Sequence, residues 1–198
     1  MCGIVGYVGN GDAVEVILEG LSKLEYRGYD SSGIAIVKNG QIQIEKKVGK
    51  LQALKDFLSE HPMSGEVGLG HTRWATHGAP SDINSHPHYN NDKSVAVVHN
   101  GIIENYIQLK KELTEQGCNF ISQTDTEVVA HLFGVLYDGD MLSTLKKVLK
   151  RVKGTYALGI VHKNHPDQLI CARKDSPLVI GVGENQNFIA SDVPALLK

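Results

Sequence analysis

The sequence predicts an α+β protein with largely antiparallel sheets and helices packed in layers on them. Strand-like segments come first, two or three helical segments fill the middle, and strands return at the end. That order puts helices onto sheets as separate layers. The connections are also short. Asn39-Gly40 is a two-residue hairpin signal, and Asp, Asn, Gly and Pro turns break the last quarter of the chain, which suits antiparallel pairing. At 198 residues, with no internal repeat or low-complexity linker, the chain is the size of one domain with a substantial core.

The elements follow in order. Cys2-Gly3-Ile4-Val5-Gly6-Tyr7-Val8-Gly9 is an apolar run that reads as a buried strand. Asp12 is placed to cap a helix over 13–25, in which Val14, Ile17, Leu18, Leu21 and Leu24 recur at the helical period. Tyr26 to Gly33 is a polar, glycine-flanked loop. Strands over 34–37 and 42–48 flank Asn39-Gly40, and 50–60 is an amphipathic helix ended by His61-Pro62. A strand from Val67 runs into a polar loop that continues through Ser85-His86-Pro87-His88. This loop is about fifteen residues long, a length that in a compact domain is usually functional or disordered. An apolar strand over 95–99 ends at Asn100-Gly101, and a helix over 104–116 is stopped by Gly117. Thr124-Asp125-Thr126-Glu127 fits a capping box opening a helix over 128–137. A helix over 141–153 carries a basic outer face, and strands over 155–162, 168–173, 178–182 and 188–190 lead to a short final helix.

Composition narrows the function classes. The chain is 41% hydrophobic and 21% charged, ordinary for a globular protein. A net charge of −2 gives no electrostatic reason to expect nucleic acid or an anionic membrane as partner. No apolar run approaches the roughly 20 residues that span a bilayer, and no signal peptide precedes Cys2, so a cytoplasmic location is expected. Cys2, Cys118 and Cys171 are scattered and odd in number, unlike a disulfide framework or a zinc site.

Five features bear on chemistry. If Met1 is trimmed, Cys2 carries both a thiol and a free α-amine. An amine with a pKa of roughly 7.7–8.0 is partly unprotonated near neutrality and can serve its own thiol as base. Arg73 offers a planar fork to a carboxylate, either of a ligand or of a nearby Asp. The adjoining Trp74 is either core or lid. Asn100-Gly101 is either a plain turn or a pair of donors, side-chain amide and backbone N–H, for a developing oxyanion. Asp125 lies where negative charge favours a helix start in any case. His71, His77, His86 and His88 crowd a short stretch, but their spacing matches no zinc template, so neither metal nor cofactor is expected.

In combination these segments carry a resemblance. CGIVGYVG from Cys2, LEYRGYDSSG from Leu24, GHTRWATHG from Gly70, SHPH from Ser85, VVHNGIIEN from Val97 and SQTDTE from Ser122 resemble, in order, the motifs of class II glutamine amidotransferases. SPLVIG and FIASD extend the likeness almost to the end. The Tyr-Asp-Ser-Ser-Gly and Arg-Trp-Ala-Thr-His-Gly stretches set the chain apart from the amidophosphoribosyltransferase and asparagine synthetase branches. They are similar to the branch that passes ammonia to fructose 6-phosphate.

The resemblance implies a four-layer αββα N-terminal-nucleophile hydrolase sandwich with two largely antiparallel sheets. It implies that residues 1–198 are one glutaminase domain acting on L-glutamine. The domains that bind fructose 6-phosphate would lie outside this chain, and the full-length protein would be a homodimer. Cys2 would be the nucleophile, with Asn100 and Gly101 as the oxyanion hole. Arg73 would pair the substrate α-carboxylate and Asp125 its α-ammonium. Thr76, His77 and His86 would lie close to substrate, and Trp74 would close over the site.

Overall fold

The computed structural model describes residues 2–74 and 78–197. Its layers follow from the side-chain alternation of a handful of strands. β1 (Gly3–Gly9) leads to α1 (Ala13–Ser22), whose first turn is capped by Asp12 accepting from the Val14 N–H at 3.0 Å. A short 3-10 turn (Glu25–Arg27) follows. β2 (Ser31–Lys38) and β3 (Gln41–Val48) form the expected hairpin, with Asn39 and Gly40 at φ of 52° and 72°, the left-handed pair that a tight primed turn requires. Then come α2 (Leu51–Glu60), β4 (Val67–Arg73), the two-residue β5 (His88–Tyr89) and β6 (Val95–Ile103). α3 (Tyr106–Glu115), α4 (Glu127–Leu136) and α5 (Met141–Leu149) form the helical centre. β7 (Gly154–His162), β8 (Ile170–Lys174), β9 (Val179–Gly183) and β10 (Gln186–Ala190) close the chain before a final 3-10 turn (Val193–Leu196).

The strands form two sheets, ordered β3-β2-β4-β1-β10-β9 and β5-β6-β7-β8, and every strand pairing is antiparallel. Because side chains alternate across a strand, each sheet has two faces to cover. Val5, Tyr7, Ile34 and Ile36 pack on Ile17 and Leu21 of α1 and on Leu51 and Leu54 of α2. The alternate residues Ile4, Ala35, Val37 and Leu69 meet Ala96, Val98, Ala157 and Val161 of the other sheet. That sheet's outer face, with Val97, Leu158 and Ile160, packs on Val129 and Phe133 of α4 and Leu145 of α5. The result is the αββα sandwich. Among the described residues, no helix is long and apolar enough to cross a membrane.

Three local readings need correction. Ser31, Ser32 and Gly33 belong to β2, not to a loop; their pairing with Arg73, Thr72 and His71 of β4 extends the strand despite its polar sequence. Asn100-Gly101 is not a turn, because β6 runs on to Ile103 with Gly101 opposite Tyr156 of β7. Nor does the capping box form. Thr126 occupies the cap of α4 without a side-chain bond, and Glu127 instead accepts from the backbone N–H groups of Ile121 and Ser122 at 2.9 and 2.7 Å. Glu127 itself is buried, and its carboxylate is a stronger acceptor for those two amides than a local turn would supply.

Candidate active site

The inter-sheet core does not run the full length of the sandwich. At one end its apolar stripe gives way to polar side chains on the same face. On β4, Val67 and Leu69 are followed at the strand period by His71 and Arg73. On β6, Ala96 and Val98 are followed by Asn100, and on β7 Ala157 is preceded by Thr155. Cys2 is the next position on the face that carries Ile4. Their meeting point is a cavity of about 510 Å³, within the range of small-molecule sites.

Cys2 lies in the cavity wall with its Sγ 3.1 Å from the Trp74 N–H, which donates to it. Burial pushes the thiol pKa above its ordinary value, and the Trp74 N–H and the Arg73 charge only partly offset this. The resting thiol is therefore protonated and needs a base. Asn100 Nδ2 donates to the Cys2 carbonyl at 3.1 Å, which ties the second sheet to the nucleophile. Gly101 has a φ of +127°, and a Cβ there would lie 2.2 Å from the Thr155 carbonyl oxygen. Only glycine fits.

Arg73 is buried at the end of β4. Its Nη2 donates to the Gly78 carbonyl at 3.0 Å, and its Nη1 lies 4.0 Å from Asp30 Oδ1. Asp125 reaches the opposite wall, where Oδ2 accepts from the Ile103 N–H at 2.7 Å. Trp74 is 54% exposed beside the thiol. Its ring rests on Gly28, whose φ is +74° and where a Cβ would sit 2.7 Å from the ring. Thr76 and His77 lie outside the described residues.

His86 lines the cavity but is largely buried, with Nδ1 accepting from the His99 N–H at 3.3 Å. It stacks on His71 at 4.2 Å between ring centroids and meets His88 edge-on at 4.6 Å. Burial lowers the pKa of all four of His71, His86, His88 and His99, His71 to about 3, so these rings are neutral at pH 7. Among the described residues, no group of three or more His, Cys, Asp or Glu is disposed to hold a metal ion.

Arg27, Thr126, Thr155 and Ser176-Pro177 also wall the cavity, although none of them stood out in the sequence as a site residue. Arg27 lies in the LEYRGYDSSG segment and donates to the Ser191 carbonyl and Asp192 Oδ2 at 3.4 and 3.3 Å. Thr155 reaches the site only through the β6–β7 register, and Ser176-Pro177 flanks the isolated Tyr156–Asp175 bridge. Thr155 has no local pattern to mark it, and Ser176-Pro177 opens the SPLVIG segment without a chemical signature of its own.

The fold is that of the amidotransferases of the N-terminal-nucleophile type. The chain belongs to the glutamine amidotransferase domain family, whose model matches residues 71–198. It is 64% identical, over its whole length, to a glutamine–fructose-6-phosphate aminotransferase (isomerizing) of Fusobacterium nucleatum, and 53% identical to one of Thermus thermophilus. It covers 33% and 32% of those proteins, so the chain spans about a third of the length of the curated relatives it matches. Among solved structures, a glutamine phosphoribosylpyrophosphate amidotransferase from B. subtilis superimposes with a TM-score of 0.85 at 29% identity, over 98% of this chain and 43% of that one. A class-II glutamine aminotransferase domain protein from Silicibacter pomeroyi shares the fold at a TM-score of 0.65 and 15% identity, over 96% of this chain and 88% of that one.

Proposed function

We propose that this chain hydrolyses the side-chain amide of L-glutamine through a Cys2 thioester. The supporting observation is the convergence of a half-buried thiol, an amide donor, a guanidinium and a carboxylate on one cavity. With Met1 removed, the Cys2 α-amine takes the thiol proton as Sγ attacks the substrate's side-chain carbonyl carbon. Negative charge develops on the carbonyl oxygen. Asn100 supplies the second of its two amide hydrogens and Gly101 its backbone N–H to hold that charge. The ammonium form of the α-amine returns the proton to the leaving nitrogen as the C–N bond breaks, releasing ammonia. Water, deprotonated by the same amine, then cleaves the γ-glutamyl thioester to glutamate and regenerates the thiol.

Specificity rests on the amino-acid end of the substrate, because an amide group is generic. Arg73 pairs the α-carboxylate and Asp125 the α-ammonium. An analogue lacking either group leaves a buried charge unpaired and is rejected strongly. Trp74 closes over the bound substrate, with Thr76, His77 and His86 around it. In the longer protein, further sugar-phosphate-binding domains take up the ammonia and convert fructose 6-phosphate to glucosamine 6-phosphate. That protein is a cytoplasmic homodimer. The test is ammonia and glutamate release from glutamine by the Met1-free chain. Release above background, abolished by Cys2→Ala with the fold intact, supports the reading. Release at background by the unmodified Met1-free chain would make the domain a glutamine-binding module instead.

A further inference from the structure

The oxyanion role assigned to Asn100 depends on which way its amide points, and the structure contains a device that fixes it. His71 extends the inward stripe of β4 across to the second sheet, where its Nε2 lies 3.0 Å from Asn100 Oδ1 and 3.1 Å from the His99 carbonyl oxygen. A carbonyl can only accept, so Nε2 must carry the ring's hydrogen. With a donor at Nε2, the Asn100 atom facing it must be the oxygen. The amide nitrogen is thereby turned toward Cys2, whose own carbonyl accepts from it. The His99 main chain thus sets the His71 tautomer, and the tautomer sets the amide orientation.

We propose that His71 is a positioning residue for the oxyanion hole, holding Asn100 so that its N–H groups face the nucleophile. The inference rests on the glutaminase reading above. It accounts for a fully buried histidine whose Nδ1 has no hydrogen-bond partner among the described residues, an arrangement that is costly unless the other nitrogen has a task. Because burial keeps the ring neutral down to about pH 3, Nδ1 stays unprotonated throughout the working range and the orientation does not drift with pH.

A double-mutant cycle tests this, with kcat and KM for glutamine measured on Met1-free protein and folding checked by thermal melting. His71→Leu removes the donor. His71→Gln places an amide N–H near the Nε2 position, whereas His71→Asn reaches only as far as Nδ1. We expect His71→Leu and His71→Asn to lower kcat by about 10–10²-fold, part of the 10²–10³ that loss of an oxyanion donor costs, with KM changed little. His71→Gln should recover most of the loss. In an Asn100→Ala background, His71→Leu should cost almost nothing more, because the group it positions is gone.

Equal losses in both backgrounds, a rise in KM with kcat intact, or no difference between Gln and Asn would overturn the proposal. So would failure of the His71→Gln chain to fold. If His71→Leu alone fails to fold, the Gln and Asn chains carry the comparison. Normal turnover in Asn100→Ala would remove the oxyanion reading itself, and this inference with it.

Discussion

Glu127 is a carboxylate with almost no exposure, sitting at the start of α4 two residues beyond Asp125. Its oxygens accept from the N–H groups of Ile121 and Ser122 at 2.9 and 2.7 Å and from Ser122 Oγ at 2.6 Å, and one lies 3.4 Å from His131 Nε2. Burial alone would raise its pKa. The bonds from His131, Ser122 and the two backbone amides outweigh burial and hold it at about 2, against an ordinary 4.5. Below pH 4.5 the unfolded chain therefore binds a proton that the folded chain resists. The Glu127 contribution is complete above about pH 4.5 and is lost as the pH falls toward 2. At about 1.4 kcal/mol per pKa unit, it is on the order of 3 kcal/mol.

Glu127→Gln places an NH2 group against a backbone donor and removes the charge. It should cost about 3 kcal/mol at pH 7. It should also release the 121–126 segment that carries Asp125, so KM for glutamine rises more than kcat falls. Urea unfolding at pH 7 and pH 3.5 checks this. The gap between parent and variant should shrink at the lower pH. A gap below about 1 kcal/mol at pH 7, or one that does not change with pH, would show that Glu127 does not hold this segment.

Other outcomes follow from the same geometry. Asn100→Ala should keep glutamine affinity and lose about 10²–10³ in turnover, read by steady-state ammonia release. Gly101→Ala forces a Cβ to within 2.2 Å of the Thr155 carbonyl at a φ of +127°, and should lower stability by about 1–3 kcal/mol or more in a thermal melt. Gly28→Ala should displace the Trp74 ring, which a change in tryptophan emission would report. The four site histidines are held neutral, so kcat/KM should rise through one ionisation near pH 7–8, that of the α-amine. A rising limb near 6.5 would instead implicate a histidine.

Features set by neighbouring residues were legible in the chain alone. Asp12 caps α1, and Asn39-Gly40 turns the first hairpin, because both depend on side chains a few positions apart. Site features created by strand register were not legible. Gly101 reads as a turn until it is paired with Tyr156, when the approach of the Thr155 carbonyl gives the glycine its reason. Likewise His71 reads as one of a crowd of histidines. Its tautomer is fixed by a carbonyl 28 residues away on the other sheet. The capping box failed for a related reason: the Ile121 and Ser122 amides compete for the buried Glu127 carboxylate, and sequence spacing cannot weigh that competition.

In the proposed mechanism, Cys2 works only as the first residue of the mature chain. Preparations containing different fractions of Met1-bearing protein can be assayed side by side, with the fraction read by intact mass and ammonia release from glutamine measured in each. Turnover should be in direct proportion to the Met1-free fraction, falling to background when every chain retains Met1. Full activity in a preparation that retains Met1 throughout would contradict that mechanism.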